Sequence, residues 1–318
     1  ERETYLLSSE RRKFATTLML YVCIHKSVRL ISTSPYLTVG TRVKDVLSGG
    51  CNIGDILLLD PAKEELATIP DKTIPKELME EEMIGASHGW AFFSSKSNPT
   101  VIPLPRLTAL SPDQPDEVCN VAMSSSSPHH QDNDEEDCVV AIKFFGRQLS
   151  MCRPGLDLEW TNISTPVFCC DSSNLIPELH ELSFRDHPVL DRSQWELLNS
   201  CFRTEYLVES PSDGERFLVK WYTLAFSIIP RFMVFREEET TEGSIMCYTE
   251  DIGDMCIFLA SNEAFCIPAS SSPSLDPNTI YFMGRGLGFF HLTTGEAHHY
   301  KTLDGVLSTH YWLPPFSI

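Results

Sequence analysis

The sequence predicts an all-β chain, folded as a β-propeller of short antiparallel four-stranded blades. Three observations carry this. Short apolar or alternating runs recur along the body, and clusters of Asp-Pro, Gly, Asn and Ser interrupt them at turn-like intervals. One hairpin plan occurs twice, at Gly54 to Leu66 and at Gly288 to His299. Each copy has a glycine, an apolar strand, a polar turn and a return strand carrying Glu. Propeller blades repeat such hairpins radially. Only Ser193 to Phe202 has helical periodicity, with Trp195, Leu198 and Phe202 on one face.

In order along the chain, Gly54 to Pro61 reads as a strand stopped by Asp-Pro, with Glu65 to Pro70 as its antiparallel partner. Ile84 to Phe93 and Thr100 to Leu104 follow. Residues 111–137 break the pattern with four consecutive serines, eight acidic residues and no Lys or Arg. Too few apolar groups are present there to offset ordering entropy, so a solvated acidic loop is expected. Strands resume at Cys138 to Phe145, Gln148 to Cys152 and Leu158 to Ile163. After the helix come Arg216 to Tyr222, Pro230 to Phe235, Ser244 to Tyr248 and Met255 to Leu259. Ala264 to Ile267, Thr279 to Met283 and Gly288 to Leu292 complete the series.

Charge divides the chain of 318 residues unevenly. Its formal net charge is −19, yet residues 1–44 carry eight Lys or Arg against three Glu, or +5, leaving −24 on residues 45–318. An acidic body argues against a nucleic-acid surface, because phosphate binding is driven by Lys and Arg density. Arg11 to Lys44 holds seven basic residues, eight Ser or Thr and no acid. That is the composition of an organellar transit peptide, so residues 1–44 are expected to be a basic targeting or disordered segment and residues 45–318 the propeller domain. A basic disordered arm and a secretory signal are the alternatives. The apolar run Leu18 to Ile24 is far too short to span a bilayer, and no membrane span is expected. Eleven cysteines without C-x-x-C spacing give no zinc signature and are read as reduced thiols.

Candidate chemistry is sparse. His88-Gly89-Trp90 joins a titratable ring to a stacking surface, although such a trio also closes a strand end. Gly284-Arg285-Gly286-Leu287-Gly288 looks like a phosphate cradle, but a strand-like run follows where a dinucleotide site needs a helix N-terminus, so a hairpin turn is expected. His88, Trp90 and Arg285 are therefore the candidate partner-binding or structural positions. His291, His298 and His299 are a weak metal set, because neighbours on a strand face opposite sides. The nucleophile elbow, the P-loop and the zincin motif do not occur, so catalytic residues, cofactors and metals are not expected.

Several stretches together resemble a known family: Met83 to Phe93, Ile252 to Leu259, Pro277 to Phe282, Gly288 to Gly295 and Tyr311 to Pro315. They are similar to the plant "domain of unknown function 295" proteins, the KIB-type β-propellers. The likeness is greatest to their organellar branch, whose basic head resembles Arg29 to Leu37. The resemblance implies a propeller imported into mitochondria, or alternatively chloroplasts. It also implies an unidentified protein partner and a scaffold role of undefined purpose. Some relatives are F-box ubiquitin-ligase adaptors, but residues 1–50 lack that helical module. A ligase adaptor and an organellar enzyme using the propeller channel are the alternative functions, and a cytoplasmic or nuclear site follows if the head is not an import signal. Only three residues separate Asn174 from Glu178, where the family resemblance calls for further strands, so one blade is expected to be truncated.

Overall fold

The computed structural model describes residues 17–22, 34–46, 52–74, 82–87, 90–95, 104, 118–125, 137–144, 148–164, 182–210, 213–224, 231–241, 243–260, 262–272, 275–284, 286–300 and 311–315. In chain order the strands are β1 (Thr17–Val22), β2 (Tyr36–Val46), β3 (Asn52–Asp60), β4 (Glu65–Ile74), β5 (Glu82–Ser87) and β6 (Trp90–Ser95). Then come β7 (Val118–Met123), β8 (Val140–Phe144), β9 (Gln148–Cys152), β10 (Thr161–Ser164) and β11 (Ser183–Arg185). Helix α1 (Arg192–Asn199) precedes β12 (Phe202–Glu209), β13 (Arg216–Thr223), β14 (Arg231–Thr240) and β15 (Gly243–Thr249). The last six are β16 (Met255–Leu259), β17 (Phe265–Pro268), β18 (Thr279–Gly284), β19 (Gly286–His291), β20 (Ala297–His299) and β21 (Trp312–Leu313).

These strands form five sheets, here numbered along the chain. Sheet I has the order β21-β2-β3-β4, sheet II β1-β6-β5 and sheet III β10-β9-β8-β7. Sheet IV has the order β11-β15-β14-β13-β12 and sheet V β17-β16-β18-β19-β20. Together they stand in a ring as a β-propeller, as the strand pattern predicts. Pairing is antiparallel with two exceptions: β11 joins β15 in parallel, and β16 joins β18 in parallel.

Among the described residues, three contacts between sheets are side-chain cores built from alternate strand positions. On β16, Met255, Ile257 and Leu259 face sheet IV beside Phe217, Val219 and Val234, while Cys256 and Phe258 face sheet I beside Leu37, Leu57 and Leu59. A third core joins Phe92 of sheet II to Val121, Val140, Ile142 and Phe144 of sheet III. β16 is buried along its whole length, which is why it reads as a continuous apolar run rather than an alternating one.

The ring closes through β21, which pairs with β2 at Tyr36 and Leu37 and brings the end of the chain onto sheet I. Thr38 and Tyr311 exchange backbone and hydroxyl hydrogen bonds at 2.9–3.1 Å. Trp312 is 1 % exposed, crosses Phe258 edge-on with ring centroids 5.2 Å apart, and donates Nε1–H to the Leu259 carbonyl at 3.1 Å.

Three expectations need correction. The boundary expected at residue 44 falls inside β2, and β1 also lies within residues 1–44, the segment expected to be a basic targeting or disordered one. Leu37 and Val39 are fully buried, and Lys44 is tied to Asp55 at 2.7 Å and Asp71 at 2.9 Å, so part of the basic count serves the sheet. The acidic stretch 111–137 is interrupted by β7, because Val121 and Met123 alternate into the core and supply the apolar burial that the surrounding residues lack. Helix α1 ends at Asn199, with Asp191 capping Gln194 N–H at its start. Phe202 opens β12 instead and is half exposed. The shortened blade expected after Asn174 falls on residues 165–181, outside the described residues.

Candidate functional site

Of the three positions singled out from the sequence, Trp90 is the one described. It opens β6, where it pairs with Ser87 and packs half-buried against the core containing Phe92 and Phe144. His88 and Arg285 lie outside the described residues. Gly284 pairs directly with Gly286, so the glycine-rich segment is a tight β18–β19 hairpin flanked by strand on both sides. That geometry has no helix N-terminus to receive a phosphate.

The histidines near the chain's end face apart. His298 stacks on Phe289 at 4.8 Å and pairs with Glu64 at 3.0 Å, whereas His299 lies edge-on to Phe282 on the other face. His291 is engaged through Nδ1 with the Thr279 hydroxyl at 2.9 Å. Among the described residues no group of three His, Cys, Asp or Glu is placed to hold a metal ion. Cys138, Cys152, Cys201, Cys247, Cys256 and Cys266 are free thiols, and burial pushes Cys256 and Cys266 up to about 12, which keeps them protonated and poorly nucleophilic.

Two polar assemblies stand out that the sequence pattern did not mark. The first links four sheets near the end of β16. Ser87 donates to Glu263 at 2.6 Å and accepts from Met123 N–H at 2.9 Å, while Glu263 N–H reaches the Ala86 carbonyl at 2.9 Å. Asn120 donates to the Asn262 carbonyl at 3.3 Å, and the Asn262 side chain donates through Nδ2 to the Trp312 carbonyl at 3.1 Å and accepts through Oδ1 from Trp312 N–H at 3.2 Å. Asn262 is 5 % exposed, and these polar groups satisfy one another across the ring. This assembly ties the sheets together and leaves little capacity for a ligand.

The second assembly is an open groove of about 830 Å³ at the opposite end of β16. The ends of β15 and β19 and the starts of the parallel pair β16 and β18 meet there. One wall is the turn His187 to Leu190 between β11 and α1; the other is the crossover Tyr248 to Gly253, and Pro277, Asn278 and Thr293 complete it. Burial and the hydrogen bond to Glu250 at 2.9 Å raise the Tyr248 hydroxyl, so it stays protonated and donates.

Asn278 organises this groove. Its backbone sits at φ 56°, in the left-handed region that Asn tolerates better than most residues. From there Oδ1 accepts from Ile252 N–H at 2.9 Å, and Nδ2 donates to the Glu250 carbonyl at 2.9 Å and to Thr293 Oγ1 at 2.7 Å. One side chain thus pins the β15–β16 crossover and the β19–β20 turn to the start of β18. Asn278→Ala removes three hydrogen bonds and strains the backbone, and is expected to cost about 3 kcal/mol. Asn278→Gly relieves the backbone strain and should recover about 1 kcal/mol of that loss. Urea unfolding of the three proteins checks the order, and equal midpoints for alanine and asparagine would refute the clamp.

Searches of curated proteins and of solved structures return no match. A family model, the KIB1-4 beta-propeller, matches residues 58–302. That span runs from inside β3 to just beyond β20 and contains sheets III, IV and V, the hairpin at Gly284 and the groove loops. The chain therefore belongs to the KIB1-4 β-propeller family.

Proposed function

We propose that this protein is a non-enzymatic scaffold that binds a protein partner through the loops at one end of its propeller, and that it acts in the mitochondrion. The observation that carries the reading is the open groove, whose loops are held by Asn278 while mutually satisfied polar groups occupy the other end of β16. A rigid disc with loops anchored at strand ends suits recognition. The protonated thiols and tyrosines beside the cores offer no activated nucleophile, which favours binding over catalysis. The mitochondrial assignment rests on the basic, hydroxyl-rich and acid-free composition of Arg11 to Lys44.

Proximity labelling from the full chain expressed in plant cells tests compartment and partner together. The expected result is a reproducible set of mitochondrial protein neighbours. Neighbours drawn from cytosolic ubiquitin-ligase subunits would overturn the reading, as would a bound metabolite turned over by the purified protein.

A further inference from the structure

We propose that the groove between the His187 turn and the Tyr248 crossover takes an extended peptide segment of a partner, one with an apolar side chain flanked by Lys or Arg. The inference rests on the scaffold reading above and names the chemistry of what that scaffold binds. Two features of the groove select this occupant.

The first is the apolar wall. Val189 is fully exposed, at 103 %, beside Pro188, and Leu190 continues from it into the core under α1. An exposed β-branched side chain on a turn, opposite the Tyr248 ring, offers an apolar partner side chain a place to lose water contact. Small polar ligands gain little from such a wall.

The second is charge. The three loops that rim the groove, residues 249–254, 275–278 and 292–296, hold Glu250, Asp251, Asp254, Asp276 and Glu296, and no Lys or Arg. Arg236 reaches the crossover only to donate to the Asp251 backbone carbonyl at 3.2 Å. Glu250 spends one carboxylate oxygen on Tyr248, and Asp251 spends one on Gly253 N–H at 2.8 Å. The second oxygen of each has no partner among the described residues. Two carboxylates with open oxygens beside an apolar wall complement a cationic and apolar segment. A divalent cation is disfavoured, because the described donors do not converge on one point.

The test uses the full chain and a fluorescein-labelled peptide with a central Leu-Val flanked on each side by Lys-Arg. Its partner variants are Glu250→Gln/Asp251→Asn, which keeps both internal hydrogen bonds, and Val189→Ser. Asp45→Asn/Glu159→Gln removes two exposed carboxylates elsewhere and controls for overall charge. Fluorescence anisotropy should show the groove carboxylate variant binding about tenfold more weakly at low salt. That gap should shrink as salt is raised to about 0.5 M. Val189→Ser should weaken binding by a factor that salt leaves unchanged, and the control should bind like the unaltered protein. Equal loss in the control and groove variants, or equal binding of a peptide with Gly-Gly at its centre, would overturn the assignment. Circular dichroism of each variant excludes misfolding as the cause. If proximity labelling finds the same neighbours for the groove variant as for the unaltered chain, the scaffold reading stands and the groove assignment fails. If the peptide binds as expected but labelling finds no protein neighbours, the groove chemistry stands and the scaffold reading fails.

Discussion

Trp312→Ala is expected to open the ring and lower stability by about 4 kcal/mol, the usual range for emptying a fully buried aromatic site. The loss comes from three contacts: the edge-on packing against Phe258, the edge-on contact with Tyr281 at 6.5 Å, and the Nε1–H bond to Leu259. All three join the last strand to sheet V, while β21 itself pairs with sheet I. The side chain therefore holds the sheet V flank of the closure while the backbone holds the sheet I flank. A typical domain is stable by about 5–15 kcal/mol, so this one change consumes a large share of the margin. Trp312→Phe keeps most of the packing and loses the hydrogen bond, for an expected cost of about 1–2 kcal/mol. Urea unfolding of both variants measures the difference. An alanine variant within about 1 kcal/mol of the unaltered protein would show that β21 does not close the ring.

Gly288→Ala is the second large effect. A Cβ at this position would collide with the carbonyl oxygen of His298, a backbone atom of the neighbouring strand. A flexible side chain could turn aside, but β20 cannot do so without giving up its pairing with β19 at Gly288, Phe289 and Phe290. The stacking of His298 on Phe289 and the Tyr300 N–H bond to the Leu287 carbonyl at 3.0 Å depend on the same register. Tyr300 in turn bonds the Pro61 carbonyl at 2.9 Å, so the disturbance reaches sheet I. The expected cost is about 3 kcal/mol, at the upper end for overpacking a tight contact. Gly295→Ala is the comparison. It meets no atom within 4 Å and carries only the strain of its φ of 68°, for about 1 kcal/mol. Thermal or urea unfolding that ranks Gly295→Ala as the worse variant would contradict this account.

Much of the fold could be read along the chain because strands of a propeller are local. Gln148–Cys152 and Met255–Leu259 are strands over the very residues their patterns mark, and Glu65 does begin the return strand of the first hairpin. Where local signals misled, a non-local contact had the final word. Val118–Met123 is surrounded by carboxylates and serines, yet becomes β7 because it pairs with β8 and meets Phe92 across the sheet interface. Phe202 fits the helical face of Trp195 and Leu198, but pairing with Thr223 draws it into β12.

By itself the sequence determined an all-β propeller, the family motifs, and the glycine hairpin before β19. It did so because periodicity and turn chemistry act over a few residues. Only the tertiary structure decided the groove and its organiser. Asn278 is an ordinary turn residue in the sequence, and Val189 and Asp251 are 62 positions apart. They become one site only because β16 and β18 run in parallel and start beside the end of β15. That arrangement follows from the packing of whole sheets, which no local pattern encodes.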